Sequence, residues 1–564
     1  MISVKNLSVK LENVEALKDI NFDLEPGERI GVVGESGSGK TMLGLSLLGI
    51  APECAEISGK LKINQKNMTH ASEKAWMGLR LTEIAMVFQE PMSALNPIKR
   101  IGETLCEPIR IHLNLSKSAS KKRALNLLHE VGLPDAKVKI NQFPHQLSGG
   151  QRQRVLIALA LSCDPKVLIA DEPTSALDAH VALQITDLLV SISMKRKMAL
   201  VFISHDLNAV ARTTKHLVVM FKGEILERGS TDKILRNPDH NYTKGLISAR
   251  PNLNPNIRDH EGKLQRLATM ADFFPESKES HVTKSECTET HKSKIKRNCL
   301  NFEGDPTEPL LDVCSLSRFY KLPRLNFFEK QKYSAAITGV GFKLFRGKTL
   351  GVVGKSGSGK STIARLIMGF EKPDNGKILI RGNDINKITK QKLRSLRSDF
   401  QMVFQDPFGS LDPRRKVGWS IAEPLRAQKG KADHKMLVAE VLERVGLKHS
   451  DAERYPHQFS GGQRQRIAIA RSIVSGPSLL IADEAVSALD VSVQAQVLNL
   501  FIELQENLGL GIIFISHDLA VINSICDDVL VMKDGHMVET GSTNTVINSP
   551  KDVYTHELLS AARA

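Results

Sequence analysis

One stretch of eleven residues occurs twice in this chain of 564 residues. Residues 144–154 and 456–466 both read Pro-His-Gln-X-Ser-Gly-Gly-Gln-Arg-Gln-Arg, where X is Leu147 in the first copy and Phe459 in the second. A repeat this close favours two copies of one domain, and the chain is also longer than most single domains. The fold must therefore place the same stretch at equivalent positions in two halves.

The Ser-Gly-Gly of each stretch has two interpretations. Ser148 precedes a helical run over residues 152–161, so it can cap that helix, and the glycines let backbone N–H groups approach an anion at its positive end. The alternative is an ordinary turn and cap without a ligand. The motifs found around the stretch favour the first interpretation.

Composition indicates ordinary globular domains, with 41% apolar, 25% charged and 5% aromatic residues. Each half is long enough to bury a sizeable core. The seven cysteines are scattered without a CxxC pair, which is typical of free thiols in a reducing compartment. Residues 1–5 carry no signal-peptide core, and no apolar run approaches the ~18 residues that span a bilayer. We therefore expect a cytoplasmic protein whose membrane association, if any, is peripheral.

The formal net charge of +15 fits either a polyanionic partner or a solvated basic surface with no specific role. The second interpretation is favoured, because no run of five or more like charges marks a binding tail. Sparse aromatic residues also argue against a surface that stacks single-stranded bases. We expect no specific nucleic-acid partner.

A glycine-rich loop follows the predicted buried strand Arg29–Val33 and precedes a helical pattern over residues 42–50. Strand, glycine-rich loop and helix form the context that a phosphate-binding loop requires. Glycines let successive backbone N–H groups surround a phosphate, Lys40 supplies charge to the β- and γ-phosphates, and the Thr41 hydroxyl can ligate Mg²⁺. The predicted loop residues are Gly34, Glu35, Ser36, Gly37, Ser38, Gly39, Lys40 and Thr41.

Further polar groups follow short apolar strands. Asp171 and Glu172 end the apolar run over residues 167–170, at the edge where ligands collect in open α/β sheets. We expect Asp171 to hold Mg²⁺ through water and Glu172 to orient or deprotonate an attacking water. Gln89 and His205 each follow another such strand, and His205 is expected to contact phosphate. Taken alone, paired acids also suit a solvated turn, and a single histidine is more often structural.

The second half repeats these motifs in the same order. Lys360 lies 320 residues after Lys40, whereas the second serine, acids and histidine lie 312 residues after their counterparts. The copies are therefore collinear, and a small insertion in the first copy is typical of a surface loop. The second set comprises Gly354, Lys355, Ser356, Gly357, Ser358, Gly359, Lys360 and Ser361 in the loop, with Gln405, Asp483, Glu484 and His517 at the strand ends.

Residues 251–310 interrupt the pattern with prolines, mixed charges and little periodicity. We predict a polar, partly disordered linker here, between one domain at 1–250 and a second at 311–564. Potential metal ligands in and beside this segment lack the close spacing of a metal or cluster site; these are Cys287, His291, Cys299 and Cys314.

Together these motifs resemble the ATP-binding subunits of ABC transporters. The phosphate loop, Q-loop, signature, Walker B motif, D-loop and histidine switch occur in family order in both halves. The resemblance implies an α/β fold with two P-loop nucleotide-binding domains of the ABC type. Each would have a mainly parallel sheet, a helical subdomain and an antiparallel β region. Residues 87–97 and 403–413 resemble the oligopeptide/dipeptide/nickel importer branch, here in a fused tandem form.

The resemblance implies two ATP sites, each combining the loop of one domain with the signature of the other. The first site would contain Lys40, Thr41, Gln89, Asp171, Glu172 and His205 with Ser460, Gly461, Gly462 and Gln463. The second would contain Lys360, Ser361, Gln405, Asp483, Glu484 and His517 with Ser148, Gly149, Gly150 and Gln151. The implied Mg²⁺ ligands are Thr41, Gln89, Asp171, Ser361, Gln405 and Asp483. The implied catalytic residues are Glu172, Glu484, His205, His517, Gln89 and Gln405.

The resemblance also implies an ATPase that energises an importer for peptides or related small solutes. Its partners would be two transmembrane permease subunits and, through them, an extracytoplasmic solute-binding protein. It would act peripherally at the cytoplasmic face of the cell (inner) membrane. The alternative is a soluble tandem ABC ATPase that acts on ribosomes or nucleic acid without a permease, which the basic charge mildly favours. A P-loop kinase or GTPase would not explain the repeated Ser-Gly-Gly-Gln.

Three departures from the family pattern carry expectations. The adenine-stacking aromatic position holds Tyr320 in the second half but Leu11 in the first, so the first site is expected to bind adenine less tightly by ~1 kcal/mol. Residues 173–174, Pro-Thr, are replaced by Ala-Val at 485–486, which we expect to shift the local turn. The iron–sulfur cluster that some members hold is not expected, because the cysteines lack a compact pattern.

Overall fold

The computed structural model describes residues 1–12, 14–175, 177–253, 264–274, 308–321, 331, 333–427, 434–487 and 489–563. The chain divides into two compact units, Met1–Ser248 and Ala249–Ala564. Each unit contains one antiparallel sheet and one mainly parallel sheet, flanked by helices.

The first unit begins with an antiparallel sheet. Its strands lie in the order Val14–Leu24, Ile2–Leu11, Ala55–Ile63 and Lys66–Asn67. A six-stranded sheet follows, in the order Glu224–Ser230, His216–Phe221, Arg29–Val33, Ala199–Ile203, Val167–Asp171 and Ile84–Val87. All neighbours in this sheet are parallel except the first pair.

Helices cover the six-stranded sheet and form a separate helical region between its strands. The helices of the first unit are Lys40–Leu47, Glu73–Leu79, Pro91–Ala94, Ile101–Leu113, Lys117–Glu130, Ala136–Lys139, Gly149–Ala160, Ala179–Arg196, Leu207–Thr213, Thr231–Arg236 and Asn241–Ser248, with a 3-10 turn at Pro144–Gln146. The central strands Val167–Asp171 and Ala199–Ile203 are buried throughout. Their continuous apolar sequences therefore suit a parallel sheet that is covered on both faces.

The second unit repeats this architecture. Its antiparallel sheet has the order Tyr333–Leu344, Leu311–Lys321, Asn375–Ile380 and Asn383–Asp384. Its six-stranded sheet has the order Phe400–Val403, Leu479–Asp483, Gly511–Ser516, Thr349–Val353, Asp528–Lys533 and His536–Ser542. Its helices are Met270–Phe273, Lys360–Ile367, Lys390–Leu396, Pro407–Ser410, Val417–Ile421, Glu423–Ala427, His434–Arg444, Gly461–Ile473, Val491–Leu508, Leu519–Ile525, Thr543–Asn548 and Val553–Arg563, with 3-10 turns at His449–Glu453 and Pro456–Gln458.

Part of the predicted linker lies within the second unit. We call the described residues 264–274 the strap, because they pack along the helix Val491–Leu508. The Asn499 side chain accepts the Leu267 N–H at 2.9 Å and donates to the Leu267 carbonyl at 2.8 Å. Leu264 of the strap is buried in the core of the second unit. The linker prediction for residues 251–310 as a whole stays a prediction.

The predicted fold class is confirmed, because each unit has the mainly parallel sheet, the antiparallel sheet and the helical region that the family resemblance implied. In the parallel sheet of the first unit, Asp171 pairs with Ile203 on the neighbouring strand. The residues after these two positions therefore emerge side by side at the carboxyl edge of the sheet, where ligand sites form in open α/β folds.

Candidate functional site: two phosphate loops with acidic strand ends

The phosphate loop of the first unit connects the strand Arg29–Val33 to the helix Lys40–Leu47. Gly39 precedes the helix with φ of 100°, a conformation that favours glycine. A Cβ on Gly34 would lie 2.2 Å from the Met220 carbonyl oxygen, so only glycine fits this close approach. Close neighbours therefore require glycine at positions 34 and 39 of the loop.

Lys40 is buried inside this loop. Its Nζ donates to the carbonyl oxygens of Gly34 at 2.8 Å and Glu35 at 2.7 Å. The Lys360 Nζ makes the equivalent bonds to Gly354 at 2.7 Å and Lys355 at 2.9 Å. Each lysine ammonium group lies close to the N-terminus of the helix that follows its loop. Its charge adds to the positive potential of that helix end, which favours phosphate binding.

The glutamate at the end of each acidic strand has a left-handed backbone conformation. Glu172 has φ of 45° and Glu484 has φ of 47°, values that are uncommon outside glycine. The Glu172 N–H donates to the Ile203 carbonyl at 2.9 Å, which anchors this turn to the neighbouring strand. Backbone strain of this kind persists where the surroundings over-determine it, and it is frequent at functional sites.

In the first unit, two of the predicted site residues contact the Glu172 carboxylate. The Gln89 Nε2 donates to the Glu172 Oε2 at 2.8 Å, and the His205 Nδ1 lies 3.3 Å from the Glu172 Oε1. Burial raises the pKa of Glu172, but the hydrogen bond and charge of His205, with further help from Lys40, outweigh burial and lower the pKa below its usual value. Glu172 is therefore a carboxylate with both oxygens held in place, as a general base requires.

The second unit holds Glu484 in the same way. The Gln405 Nε2 donates to the Glu484 Oε2 at 2.8 Å, and the His517 Nδ1 lies 3.5 Å from the Glu484 Oε1. The hydrogen bond from His517 lowers the pKa of Glu484 despite burial. Burial lowers the pKa of His517, but the partnership with Glu484 outweighs it and raises the pKa above its usual value.

The acid before each glutamate fits Mg²⁺. Asp171 is 2% exposed, and within the described part of the chain its Oδ1 accepts no hydrogen bond. Burial raises the pKa of Asp171 to about 6, and the Thr41 hydroxyl opposes the rise. A buried carboxylate oxygen without a donor is costly unless a cation satisfies it, and oxygen ligands are those that Mg²⁺ prefers.

The equivalent acid of the second unit is partnered by the loop hydroxyl. The Ser361 Oγ donates to the Asp483 Oδ1 at 3.3 Å, and burial raises the pKa of Asp483. Asp483 is 8% exposed. The hydroxyl and carboxylate that the sequence predicted as Mg²⁺ ligands are thus adjacent in this unit.

Each Ser-Gly-Gly caps its own helix. The Ser148 Oγ accepts the Gln151 N–H at 3.4 Å, and the Gln151 Oε1 accepts the Ser148 N–H at 3.2 Å. Ser460 and Gln463 form the same reciprocal capping box, at 3.3 and 3.1 Å. The ordinary cap interpretation is therefore satisfied in the structure, and it does not conflict with a ligand role for the same residues.

The two glycines of each signature have different surroundings. A Cβ on Gly150 would lie 2.5 Å from the Val181 Cγ1, and one on Gly462 would lie 2.2 Å from the Val493 Cγ1. The second glycine therefore allows the signature helix to pack against the helix that follows the acidic turn. A Cβ on Gly461 would meet nothing within 4 Å, so packing does not require glycine there.

The replacement of Pro173-Thr174 by Ala485-Val486 does not shift the turn, so that expectation is wrong. In the first unit the Ser175 N–H donates to the Glu172 carbonyl at 3.3 Å, and in the second the Ser487 N–H donates to the Glu484 carbonyl at 3.2 Å. The serine hydroxyls bind the same carbonyls. Because these backbone and serine contacts define the turn, proline is not needed for it.

Tyr320, the residue at the predicted adenine position of the second unit, contacts other side chains of the protein. Its hydroxyl donates to the Glu371 Oε2 at 2.7 Å, and the Arg318 guanidinium lies 5.1 Å from its ring centroid. In the first unit, a cavity of about 870 Å³ opens above the phosphate loop. Its wall includes Lys10 and Val14, which flank the strand end at Leu11.

Two tyrosines that sequence reasoning missed contact the loops directly. The Glu35 N–H donates to the Tyr242 hydroxyl at 3.1 Å, and the Lys355 N–H donates to the Tyr554 hydroxyl at 3.0 Å. A signal was available, because both tyrosines occur in Pro-x-x-x-Tyr-Thr and lie 312 residues apart.

None of the helices among the described residues could span a membrane, and no group of three or more histidine, cysteine, aspartate or glutamate side chains in that part of the chain could hold a metal ion. Cys314 is an exposed free thiol. Cys287, His291 and Cys299 lie outside the described residues.

The loop, acids, glutamine and histidine, which occur in both units, are the groups expected of a protein that hydrolyses nucleoside triphosphates. The ABC transporter family matches residues 17–175 and 337–487, more than half of the chain, and this chain belongs to that family. It is therefore an ABC-type ATPase. Residues 226–274 match the C-terminal region of the oligopeptide/dipeptide transporter family.

Curated relatives match the whole chain. The glutathione import ATP-binding proteins of Salmonella choleraesuis and Escherichia coli O6:H1 are 40% and 39% identical to it. Each match covers 100% of this chain and 89% of the relative. The tandem arrangement is thus shared along the full length of the chain.

Proposed function

We propose that this protein hydrolyses ATP to energise the import of a short peptide or a peptide-like solute through two permease subunits. The observation that carries the proposal is the presence of a complete set of hydrolytic groups in both units. The match of residues 226–274 to the oligopeptide/dipeptide transporter family supports the solute class. The names of the full-length relatives support import. They also make glutathione and other short peptides the first solutes to test.

The chemistry follows from the residues around each glutamate. Glu172 and Glu484 act as the bases that take a proton from the attacking water, because each is an ionised carboxylate held by two neighbours. Gln89 and Gln405 orient the glutamates through their amide N–H groups. His205 and His517 contact the second carboxylate oxygen of Glu172 and Glu484, and they would contact the terminal phosphate of bound ATP.

Lys40 and Lys360 would bind the phosphates from inside the loops. Mg²⁺, held by Asp171 with Thr41 and Gln89 in one unit and by Asp483 with Ser361 and Gln405 in the other, would neutralise phosphate charge when bound. Two observations support this assignment: the buried Asp171 Oδ1 has no hydrogen-bond partner among the residues that the structure describes, and the Ser361 hydroxyl contacts Asp483.

The signature residues enter the proposal through the family resemblance. It assigns Ser148, Gly149, Gly150 and Gln151 to the nucleotide held by Lys360, and Ser460, Gly461, Gly462 and Gln463 to that held by Lys40. A Ser148→Arg substitution should then prevent trapping of nucleotide by Lys360 and leave binding by Lys40 in place. Nucleotide trapping in Lys40→Ala and Lys360→Ala backgrounds measures the two separately. Loss of the Lys40-bound nucleotide instead would contradict the assignment.

The partners and location follow from the same function. The chain would bind two permease subunits at the cytoplasmic face of the inner membrane, and an extracytoplasmic solute-binding protein would deliver the solute to them. The alternative, a tandem ABC ATPase of ribosomes or nucleic acid, is less well supported, because the full-length relatives are importer subunits by name.

Purification from membranes tests the function. We expect two membrane permease subunits to co-purify with the tagged protein, and we expect cells that carry it to take up labelled glutathione or a labelled dipeptide. The Glu172→Gln/Glu484→Gln variant is the matched control, because it should bind the permeases and fail in uptake. Co-purification of ribosomal material without permeases, together with unchanged uptake in a deletion strain, would overturn the proposal.

A further inference from the structure

Each phosphate loop is held from behind by a tyrosine near the end of its unit. Tyr242 lies on the helix Asn241–Ser248, and Tyr554 lies on the helix Val553–Arg563. Both rings are buried, at 0% and 3% exposure. Each phenol oxygen accepts the N–H of the second loop residue, Glu35 or Lys355.

The peptide group that receives this contact also holds the loop lysine. The Glu35 N–H and the Gly34 carbonyl belong to one planar peptide group. The N–H donates to Tyr242, and the carbonyl accepts the Lys40 Nζ at 2.8 Å. The tyrosine therefore fixes the plane of the peptide whose other end positions the lysine.

The second loop has the same arrangement. The Lys355 N–H donates to Tyr554 at 3.0 Å, and the Gly354 carbonyl of that peptide accepts the Lys360 Nζ at 2.7 Å. Two copies with the same atoms in the same roles make a coincidental contact a poor explanation.

Each tyrosine is itself held by contacts that lie at equivalent positions in the two units. In the first unit, the Glu227 carboxylate accepts the N–H groups of Asp239 and His240 at 2.9 and 3.3 Å, and the His240 Nδ1 accepts the Tyr242 N–H at 3.0 Å. The turn that leads into the tyrosine helix is thus tied to the last strand of the main sheet.

In the second unit, the Glu539 carboxylate accepts the N–H groups of Lys551 and Asp552 at 2.9 and 3.1 Å. The Asp552 Oδ1 accepts the Tyr554 N–H at 2.7 Å. Each of these residues lies 312 positions after its counterpart in the first unit.

The ring surroundings differ between the units. The Tyr242 ring packs on Phe221 with a centroid separation of 4.6 Å. The residue equivalent to Phe221 is Lys533, whose Nζ lies 4.9 Å from the Tyr554 ring centroid, and the Lys355 Nζ lies 5.4 Å from it. The shared feature is therefore the hydroxyl contact with the loop, since the packing of the rings has diverged.

We propose that Tyr242 and Tyr554 are positioning residues for nucleotide binding, which act through the 34–35 and 354–355 peptide groups on Lys40 and Lys360. The inference rests on the proposed function, because it assumes that these loops bind nucleotide. It predicts that loss of one tyrosine hydroxyl weakens nucleotide binding at its own loop, and that a control substitution with a similar effect on the melting temperature does not.

The test uses the full-length protein and ADP with Mg²⁺ as the probe in titration calorimetry. In a Lys360→Ala background, only the first loop keeps its lysine, and Tyr242→Phe then removes one hydroxyl from an otherwise unchanged ring. The matched control is Ser230→Ala, which removes the cap of the neighbouring helix Thr231–Arg236 without touching the loop. In a Lys40→Ala background, Tyr554→Phe and Ser542→Ala form the equivalent pair.

We expect Tyr242→Phe to raise the ADP dissociation constant about fivefold, as loss of one hydrogen bond of ordinary strength would. Ser230→Ala should leave the ADP dissociation constant unchanged, although it should lower the melting temperature at least as much as Tyr242→Phe does. In the otherwise wild-type chain, Tyr242→Phe should raise KM for ATP with little change in kcat.

Equal dissociation constants for Tyr242→Phe and Ser230→Ala would overturn the inference and leave the proposed function standing. If Lys40→Ala also failed to weaken ADP binding, the loop would not be the nucleotide site, and both the proposed function and the inference would fall.

Discussion

The two units hold Glu172 and Glu484 alike, but the helix that follows each glutamate is buried to a different extent. Glu172 and Glu484 have the same left-handed backbone and the same glutamine and histidine partners. The helix Ala179–Arg196 has five buried residues, whereas the equivalent helix Val491–Leu508 has eleven. Both helices are eighteen residues long.

The strap contributes to this difference. Asn499 binds the Leu267 backbone at two points, and Arg266 forms an ion pair with Glu503 at 2.8 Å. The first-unit equivalent of Asn499 is Asp187, which instead pairs with Arg212 at 3.1 Å on the surface. The contacts around the two glutamates are thus the same in both units, whereas the residues that cover the helix after each glutamate differ.

The largest expected effect tests whether equal geometry means equal chemistry. Glu172→Gln and Glu484→Gln should each lower the rate of ATP hydrolysis by at least about tenfold, because a general base contributes about 10² to 10⁴ at its own site and the family resemblance makes the sites mutually dependent. Steady-state phosphate release from the two variants measures this. If one variant kept most of the wild-type rate while the other lost it, the two sites would not be equivalent.

A smaller loss should follow from removing the amide that orients each glutamate. Gln89→Ala and Gln405→Ala should each lower kcat about tenfold, the effect expected at the lower limit of the about 1.5–3 kcal/mol that a hydrogen bond to a charged group contributes. Gln401→Ala is the control for the second site, because Gln401 lies on the strand that precedes Gln405 and donates to the Arg397 carbonyl instead. A loss in the control as large as that of Gln405→Ala would refute the orienting role.

The strap should affect stability in one unit only. Asn499→Ala should lower the free energy of unfolding of the second unit by about 1–3 kcal/mol, because it removes two part-buried hydrogen bonds. Asp187→Ala should change the first unit by less than about 1 kcal/mol, as expected for an exposed ion pair.

The chain offers its own probes for that comparison. Of its two tryptophans, Trp76 lies in the first unit and Trp419 in the second. Denaturant unfolding followed by fluorescence in Trp76→Phe and Trp419→Phe backgrounds therefore reports each unit separately. Equal losses from Asn499→Ala and Asp187→Ala would contradict the structural role of the strap.

The smallest effect concerns the turn after the glutamates. Ala485→Pro should change the free energy of unfolding by less than about 1 kcal/mol and leave hydrolysis unchanged, because Pro173 occupies the same turn in the first unit. Thermal unfolding and a hydrolysis assay check both statements. Destabilisation well above that value would show that the turns differ in a way their shared hydrogen bonds do not reveal.

Sequence reasoning found the groups that depend on local chemistry. The loop, the acids and the capped signature helices are set by glycine spacing, strand ends and caps, and Gln89 and His205 follow strands of the same sheet. It missed Tyr242, because the tyrosine contacts a loop residue 207 positions away and its motif resembles an ordinary helix start.

Two further outcomes depend on tertiary contacts. The strap carries little periodicity, so its packing on Asn499 could not be predicted from composition. The expected shift of the turn at 485–486 was wrong, because contacts to the Glu484 carbonyl define that turn and proline does not.

The central claim is that Glu172 and Glu484 are the two bases of one ATPase. Hydrolysis by the full-length Glu172→Gln/Glu484→Gln variant, measured at saturating ATP beside a binding titration, tests it most directly. The account predicts retained nucleotide binding with a rate below about one hundredth of wild type, the loss expected when general bases are removed. A double variant that binds ATP and hydrolyses it at the wild-type rate would contradict the claim.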